Sequence, residues 1–258
     1  MTRLAAVLFE VLLLVCSISA QQSPASDPTA ISLAAQSIVA LTHGSAITDV
    51  RLTADVTWIG GPEPESGTGV LLAKGASESR IDLALNSGGT RSEIRNSFNG
   101  PAGKWVNPNG KSGKNALHNC WTDAAWFFPA FSSLGHIGDS RFVFSYLGEE
   151  TWNGLSTKHL RVYQVQPGFK EAQRLSTMDL YLDPTSLLML GVAYKTHADN
   201  NMNVDLLSEV RFADYRLMNG IEVPFHIQRL QGGALLTDIS VTGVSFNTGS
   251  SDDRFQTR

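Results

Sequence analysis

The sequence predicts a mainly β, α+β protein built on one large, curled antiparallel sheet. Three observations carry this reading. About eleven short segments alternate apolar and polar residues or are rich in β-branched and aromatic residues. Turn-forming residues separate most of them: Ser87-Gly88-Gly89, Asn153-Gly154, Pro167-Gly168, Asp183-Pro184, Asn200-Asn201, Asn219-Gly220 and Gly232-Gly233. Two stretches, 28–42 and 115–134, are spaced like helices instead.

The chain opens with Arg3, an apolar run from Leu4 to Val15 broken by Glu10, and the small residues Ser17-Ile18-Ser19-Ala20. That is the layout of a secretory signal peptide over 1–20, with cleavage expected after Ala20. The run is shorter than the roughly 20 apolar residues a membrane span needs, and no later stretch approaches it, so no transmembrane segment is expected after cleavage. The alternative is a lipid anchor on Cys16, because Leu13-Leu14-Val15-Cys16 resembles a lipobox with a bulky Val15 before the cysteine. Either way the destination is the periplasm or the exterior. Removing Arg3 and Glu10 leaves the formal charge at −4, a mildly acidic balance with no basic field for nucleic acid. Cleavage also leaves Cys120 without an internal disulfide partner, and its apolar neighbours predict a buried packing thiol.

Residues 21–27 read as a short polar tether. Asp27-Pro28 then supplies an N-cap and a first-turn proline, and Ile31, Ala34, Ala35, Ile38 and Leu41 follow at helical spacing until Gly44. In the next segment Val50, Leu52, Ala54, Val56 and Trp58 alternate with Arg51, Thr53, Asp55 and Thr57, which predicts a half-buried strand. Further strands are read at 68–74, 79–86 and 90–98. The polar, glycine-rich 99–114 reads as an exposed loop with a short pairing around Trp105. Between 115 and 134 Leu117, Cys120, Trp121, Ala124, Ala125, Phe127, Phe128 and Phe131 recur at three- and four-residue steps. This predicts a hydrophobic helical insert, interrupted near Pro129 and apolar almost all round. Strands follow at 140–147, 157–166, 175–183, 187–197, 204–216, 221–230 and 234–246, with Pro224 marking 221–230 as an edge or a bulge. The order makes a meander, one domain over 28–246, with a polar, frayed tail at 247–258.

Candidate chemistry is sparse. Gly110-Lys111-Ser112-Gly113-Lys114 has Trp105 where a phosphate-binding loop needs its first glycine. The six histidines form no i, i+4 ligand pair, and Asp199, Asn201, Asn203 and Asp205 lack the glycine and closing glutamate of a calcium loop. No Gly-x-Ser-x-Gly elbow is present, and the neighbouring acids Glu149-Glu150 and Asp252-Asp253 point apart on extended backbone. A non-enzymatic protein without cofactor or metal is therefore expected. What remains is apolar surface. Leu52, Val56 and Trp58 on the first strand and Trp126, Phe127 and Phe131 on the insert are the candidate ligand-binding residues of an apolar hollow between sheet and insert.

The C-terminal half resembles a known family. Residues 150–160, Glu-Thr-Trp-Asn-Gly-Leu-Ser-Thr-Lys-His-Leu, are similar to a strand of LolA/LolB-type outer-membrane lipoprotein carriers. Residues 178–183, Met-Asp-Leu-Tyr-Leu-Asp, resemble their following strand. Residues 212–224, from Phe212 through Asn219-Gly220 to Pro224, are similar to their later hairpin. The resemblance implies an open β half-barrel covered by helices, with acyl chains in its hollow. It implies a lipid-like or lipoprotein acyl-chain ligand, an envelope protein partner and a periplasmic carrier role. The 99–114 loop and the aromatic insert depart from the family pattern. The alternative is a structural or protein-interaction domain of the envelope with a filled core.

Overall fold

The computed structural model of the chain describes residues 24–97 and 100–257. The signal peptide and Cys16 lie outside the described residues.

Helix α1 spans Pro28–Thr42 as its sequence dictates. Asp27 caps it, its Oδ1 accepting the Thr29 N–H at 2.8 Å, and the left-handed turn that ends it falls on His43, one residue before Gly44. The residues just before the helix are less loose than a tether. Asp27 N–H donates to the Phe144 carbonyl and Ser26 Oγ accepts the Phe144 N–H, so they run along a strand edge and cover it.

The sheet has thirteen strands, two more than the alternation suggests. In chain order they are β1 (Asp49–Trp58), β2 (Glu65–Lys74), β3 (Glu78–Leu85), β4 (Thr90–Asn96), β5 (Ala102–Val106), β6 (Ser112–Lys114), β7 (Phe142–Trp152), β8 (Leu155–Gln164), β9 (Met178–Leu182), β10 (Met189–Ala198), β11 (Asn201–Met218), β12 (Ile221–Gln231) and β13 (Ala234–Phe246). The added strands β5 and β6 form a hairpin inside the expected 99–114 loop, which extends the pairing around Trp105.

Spatial order is β6 to β1, then β13 down to β7, all antiparallel and not closed into a barrel. Two meanders are thus joined along one seam, where Val56 faces Ile239 and Leu52 faces Val244 around a bulge after Thr53. Pro224 follows the same logic locally. β12 lies inside the sheet, against the edge reading. Its pairing with β13 begins only at His226, however, so Pro224 has no β13 partner to lack an N–H for.

This topology fixes the route of the insert. β6 and β7 are the two free edges and are consecutive in the chain, so residues 115–141 must cross from one to the other over the concave face. They do so without an α-helix, contrary to the sequence reading. The segment holds only 3-10 turns at Leu117–Asn119, Pro129–Phe131 and Ser133–His136. The steps of three and four come from burial on all sides, not from a helical stripe: Ala125, Phe127, Phe128 and Leu134 are all closed to water.

Two further readings are corrected. The strand expected at 175–183 starts at Met178, and Glu171–Ser176 is a short helix, α2. It packs Ala172 and Leu175 against Trp121 in a small satellite core. The tail is ordered, not frayed. Thr248 and Gly249 donate backbone N–H groups to the buried Asp49 carboxylate at 2.9 and 3.1 Å. Phe255 is fully buried beside β3 and β4. Burial would raise the Asp49 pKa, but these donors outweigh it and hold it below the usual carboxylate range.

Candidate functional site

The concave face is one continuous lining. Alternation turns Leu52, Ala54, Val56 and Trp58 of β1 inward, beside Ile239 and Val241 of β13 and Ile227 and Arg229 of β12. The six residues predicted to line a hollow come together here. Leu52, Val56, Trp126, Phe127 and Phe131 are buried members of a single core cluster, and Trp58 packs against it half-buried. The Trp126 and Phe127 rings meet edge to face at 5.8 Å. The insert fills the hollow it covers. The apolar space left between Trp58, Leu83, Trp126 and Ile239 is a cavity of about 80 Å³, well below the ~300–1,000 Å³ of typical ligand pockets.

Side chains of the sheet hold the insert by its backbone. Because the insert lacks a regular hydrogen-bond ladder, its buried carbonyls need other donors. Ser79 Oγ of β3 reaches the Ala124 carbonyl at 2.6 Å, Arg95 Nη2 of β4 the Thr122 carbonyl at 3.2 Å, and Gln164 Nε2 of β8 the Trp121 carbonyl at 3.1 Å. Asn119 imitates a strand partner for His197 of β10, accepting its N–H and donating to its carbonyl, both at 2.8 Å. Within the insert, Asp123 Oδ2 accepts the Ser133 N–H at 2.9 Å. Cys120 is 2 % exposed, and burial raises its thiol pKa, as suits a packing residue.

The two ends of the lining differ. α1 closes one, with Ala30, Ala34 and Leu41 shut from water. The other end opens into a polar and aromatic cleft that the sequence reading did not foresee. Arg91, Glu93 and Arg95 share the inward face of β4, opposite Leu83, Ile81 and Ser79 of β3. Glu93 pairs with Arg229 across the hollow at 3.2 Å. Arg91 lies over the Trp58 ring at 4.0 Å and Arg229 over Trp126 at 4.9 Å. Trp58 folds back on Gly60 and Gly61, where an added Cβ would stand 2.9 and 2.7 Å from its ring. Burial works against the Arg229 charge, but Tyr194 and Glu93 offset it and hold its pKa above the ordinary value. The cleft holds about 360 Å³ between Arg95, Tyr194, His197 and Arg229, and a further 260 Å³ beside Trp58 and Trp105.

A sequence signal for this cleft existed in Arg91-Ser92-Glu93-Ile94-Arg95, where period two puts three charges on one face. Nothing local says which face turns inward. Asp199, Asn201 and Asn203 fall at the β10–β11 hairpin, while Asp205 pairs with Lys195 at 2.6 Å. Among the described residues no cluster of three His, Cys, Asp or Glu side chains is placed to hold a metal ion.

No family model and no curated protein matches the chain. Solved structures do match its fold. A domain from Vibrio parahaemolyticus described as outer membrane lipoprotein-sorting superposes with TM-score 0.57 at 12% identity, covering 88% of this chain and 96% of its own. A DUF1329 family protein from Desulfovibrio piger gives TM-score 0.58 at 12% identity over 90% and 98% of the two chains. A LolA superfamily protein from Nitrosomonas europaea gives 0.55 at 9% identity over 88% and 97%. The fold is LolA-like. At these identities the match speaks for the fold alone. No helix among the described residues is long and apolar enough to cross a membrane.

Proposed function

We propose that this LolA-like protein is exported to the periplasm or secreted, and there binds or carries lipid-like ligands, lipoprotein acyl chains among them, without catalysing a reaction. One observation carries the reading: the apolar concave face is covered by a segment tied down by a few side-chain bonds. Such a cover can leave without breaking a strand ladder or a helix. Its aromatic side chains stand in for acyl chains, and each is worth about 1.5–3 kcal/mol when buried, so a ligand of similar apolar area can replace them at little net cost. The polar cleft gives a headgroup a place at the mouth of the hollow.

The filled interior favours a second reading, an interaction or structural domain of the envelope whose insert never leaves. Lipid extraction of protein purified from its native envelope, followed by mass spectrometry, separates the two. Co-purifying lipid together with binding of an environment-sensitive apolar dye is expected, and Trp126→Asp should abolish the dye signal in a folded protein. A lipid-free protein that ignores the dye would leave the second reading standing.

A further inference from the structure

Arg95, on the cleft wall, forms no ion pair among the described residues; the buried Asp123 carboxylate feels its charge but is bonded to Ser133. Arg95 is only 6% exposed. Among the described residues its hydrogen bonding is limited to the Thr122 carbonyl, a neutral acceptor. Its strand neighbour Glu93 is committed to Arg229. Other arginines on the sheet are paired, Arg161 with Asp179 at 2.8 Å and Arg211 with Glu209 at 2.8 Å, whereas Arg91 in the same cleft bonds only the neutral Asn107 among the described residues. Withdrawing a guanidinium from water without a bonded counter-charge is costly, and it suits a group that meets its anion later.

Arg95 opens on the cavity of about 360 Å³, which His197 also borders. The His197 side chain is fully buried. Its Nε2 lies 3.0 Å from Arg174 Nη1 and 3.3 Å from Asp205 Oδ1. Nδ1 is buried and has no hydrogen-bond partner among the described residues. Of the two carboxylates on the cavity, Glu93 is paired and Asp199 is exposed at the lip. An oxyanion is the chemistry that answers a guanidinium fork.

We propose that this cavity binds an oxyanion group, carboxylate or phosphate, with Arg95 as its charged partner. The site deepens the carrier reading by naming the headgroup class of the amphiphile, and rests on that reading only for the acyl chain.

Calorimetric titration of the exported chain with decyl phosphate, decyl maltoside and inorganic phosphate, all below micelle-forming concentrations, tests both layers. Decyl phosphate should bind at least about tenfold more tightly than the uncharged decyl maltoside, the scale of one charge-assisted contact. Arg95→Gln should remove that advantage, read as the ratio of the two affinities in the same variant. Equal affinity for the two amphiphiles, or an Arg95→Gln protein that still prefers the phosphate, would overturn the oxyanion site and leave the carrier reading intact. Arg95-dependent binding of inorganic phosphate with no gain from the decyl chain would support the site and remove the carrier reading. Absence of binding by either phosphate also overturns the site. Should Arg95→Gln fail to fold, Arg95→Met, which keeps the apolar stem and removes the charge, takes its place in the same comparison.

Discussion

The two ends of the concave face are made from the same strands and behave differently. At the α1 end, β1 presents Val50 and Leu52 and β12 presents Val223 and Phe225, all in one dry core cluster with Ala30 and Ala34 of the helix. A few residues along, the same strands present Trp58 and Arg229, and the end stays open as a cleft. Strand alternation decides which side a residue faces, and depth along the strand decides what it meets. A closed end needs matched small residues on the element that covers it. An end lined by cations, a carboxylate and indole rings has no such cover and keeps its polar groups near water.

Truncation across the two zones should break this comparison most visibly. Phe127→Ala, in the filled hollow, should cost about 3–5 kcal/mol of unfolding free energy, since a fully buried ring leaves a cavity behind. Trp105→Ala, on the half-exposed cleft wall, should cost under about 1 kcal/mol. Urea denaturation reads both, and similar losses at the two sites would show the cleft to be core.

A smaller effect concerns the ion pair at the boundary. A double-mutant cycle of Glu93→Gln and Arg229→Gln should give a coupling of about 1 kcal/mol, because both side chains remain partly solvated and the pair is screened accordingly. Zero coupling would mean that the pair does not bridge the two meanders in solution.

The smallest effect is a pH dependence that belongs to the cleft. Burial first, and then the Arg174 charge, hold the His197 pKa below the ordinary imidazole value. The unfolded chain therefore takes up a proton near pH 6.5 that the folded chain refuses. Stability from this group is fully present above about pH 6.5 and falls as the solution is acidified below it. Asp49 and Asp179 are held low in the folded state, so their contribution is lost only below about pH 4. Thermal melting at descending pH should show a first decline below about pH 6.5, and His197→Asn should flatten it. A wild-type melting temperature unchanged down to pH 5 would contradict this account.

Much of the fold was legible because its signals are local. Asp27-Pro28 and the spacing through Leu41 give α1 nearly to the residue, and the alternation of β1 gives its buried face. The errors lie where local pattern and long-range packing part company. The apolar steps of 115–134 imitate a helix, but the segment is pressed between two sheet halves and its carbonyls are taken by Ser79, Arg95 and Gln164. Six residues of α2 are too few to show a period. Thr248 and Gly249 look like a polar tail until Asp49, about two hundred residues earlier, supplies their acceptor. Of the site, the apolar partners were readable and the cleft was not, because Arg91, Glu93 and Arg95 fit either face of a strand equally well.

By itself the sequence determined one capped helix and a succession of strands with one apolar face each, since these depend on neighbours within a dozen residues. Only the tertiary structure decided that β1 pairs with β13. That pairing leaves β6 and β7 as the free edges. From it follow the path of the insert across the hollow and the inward turn of Arg95 against Thr122. Such pairing is a property of the whole sheet, and no periodicity in either strand records it.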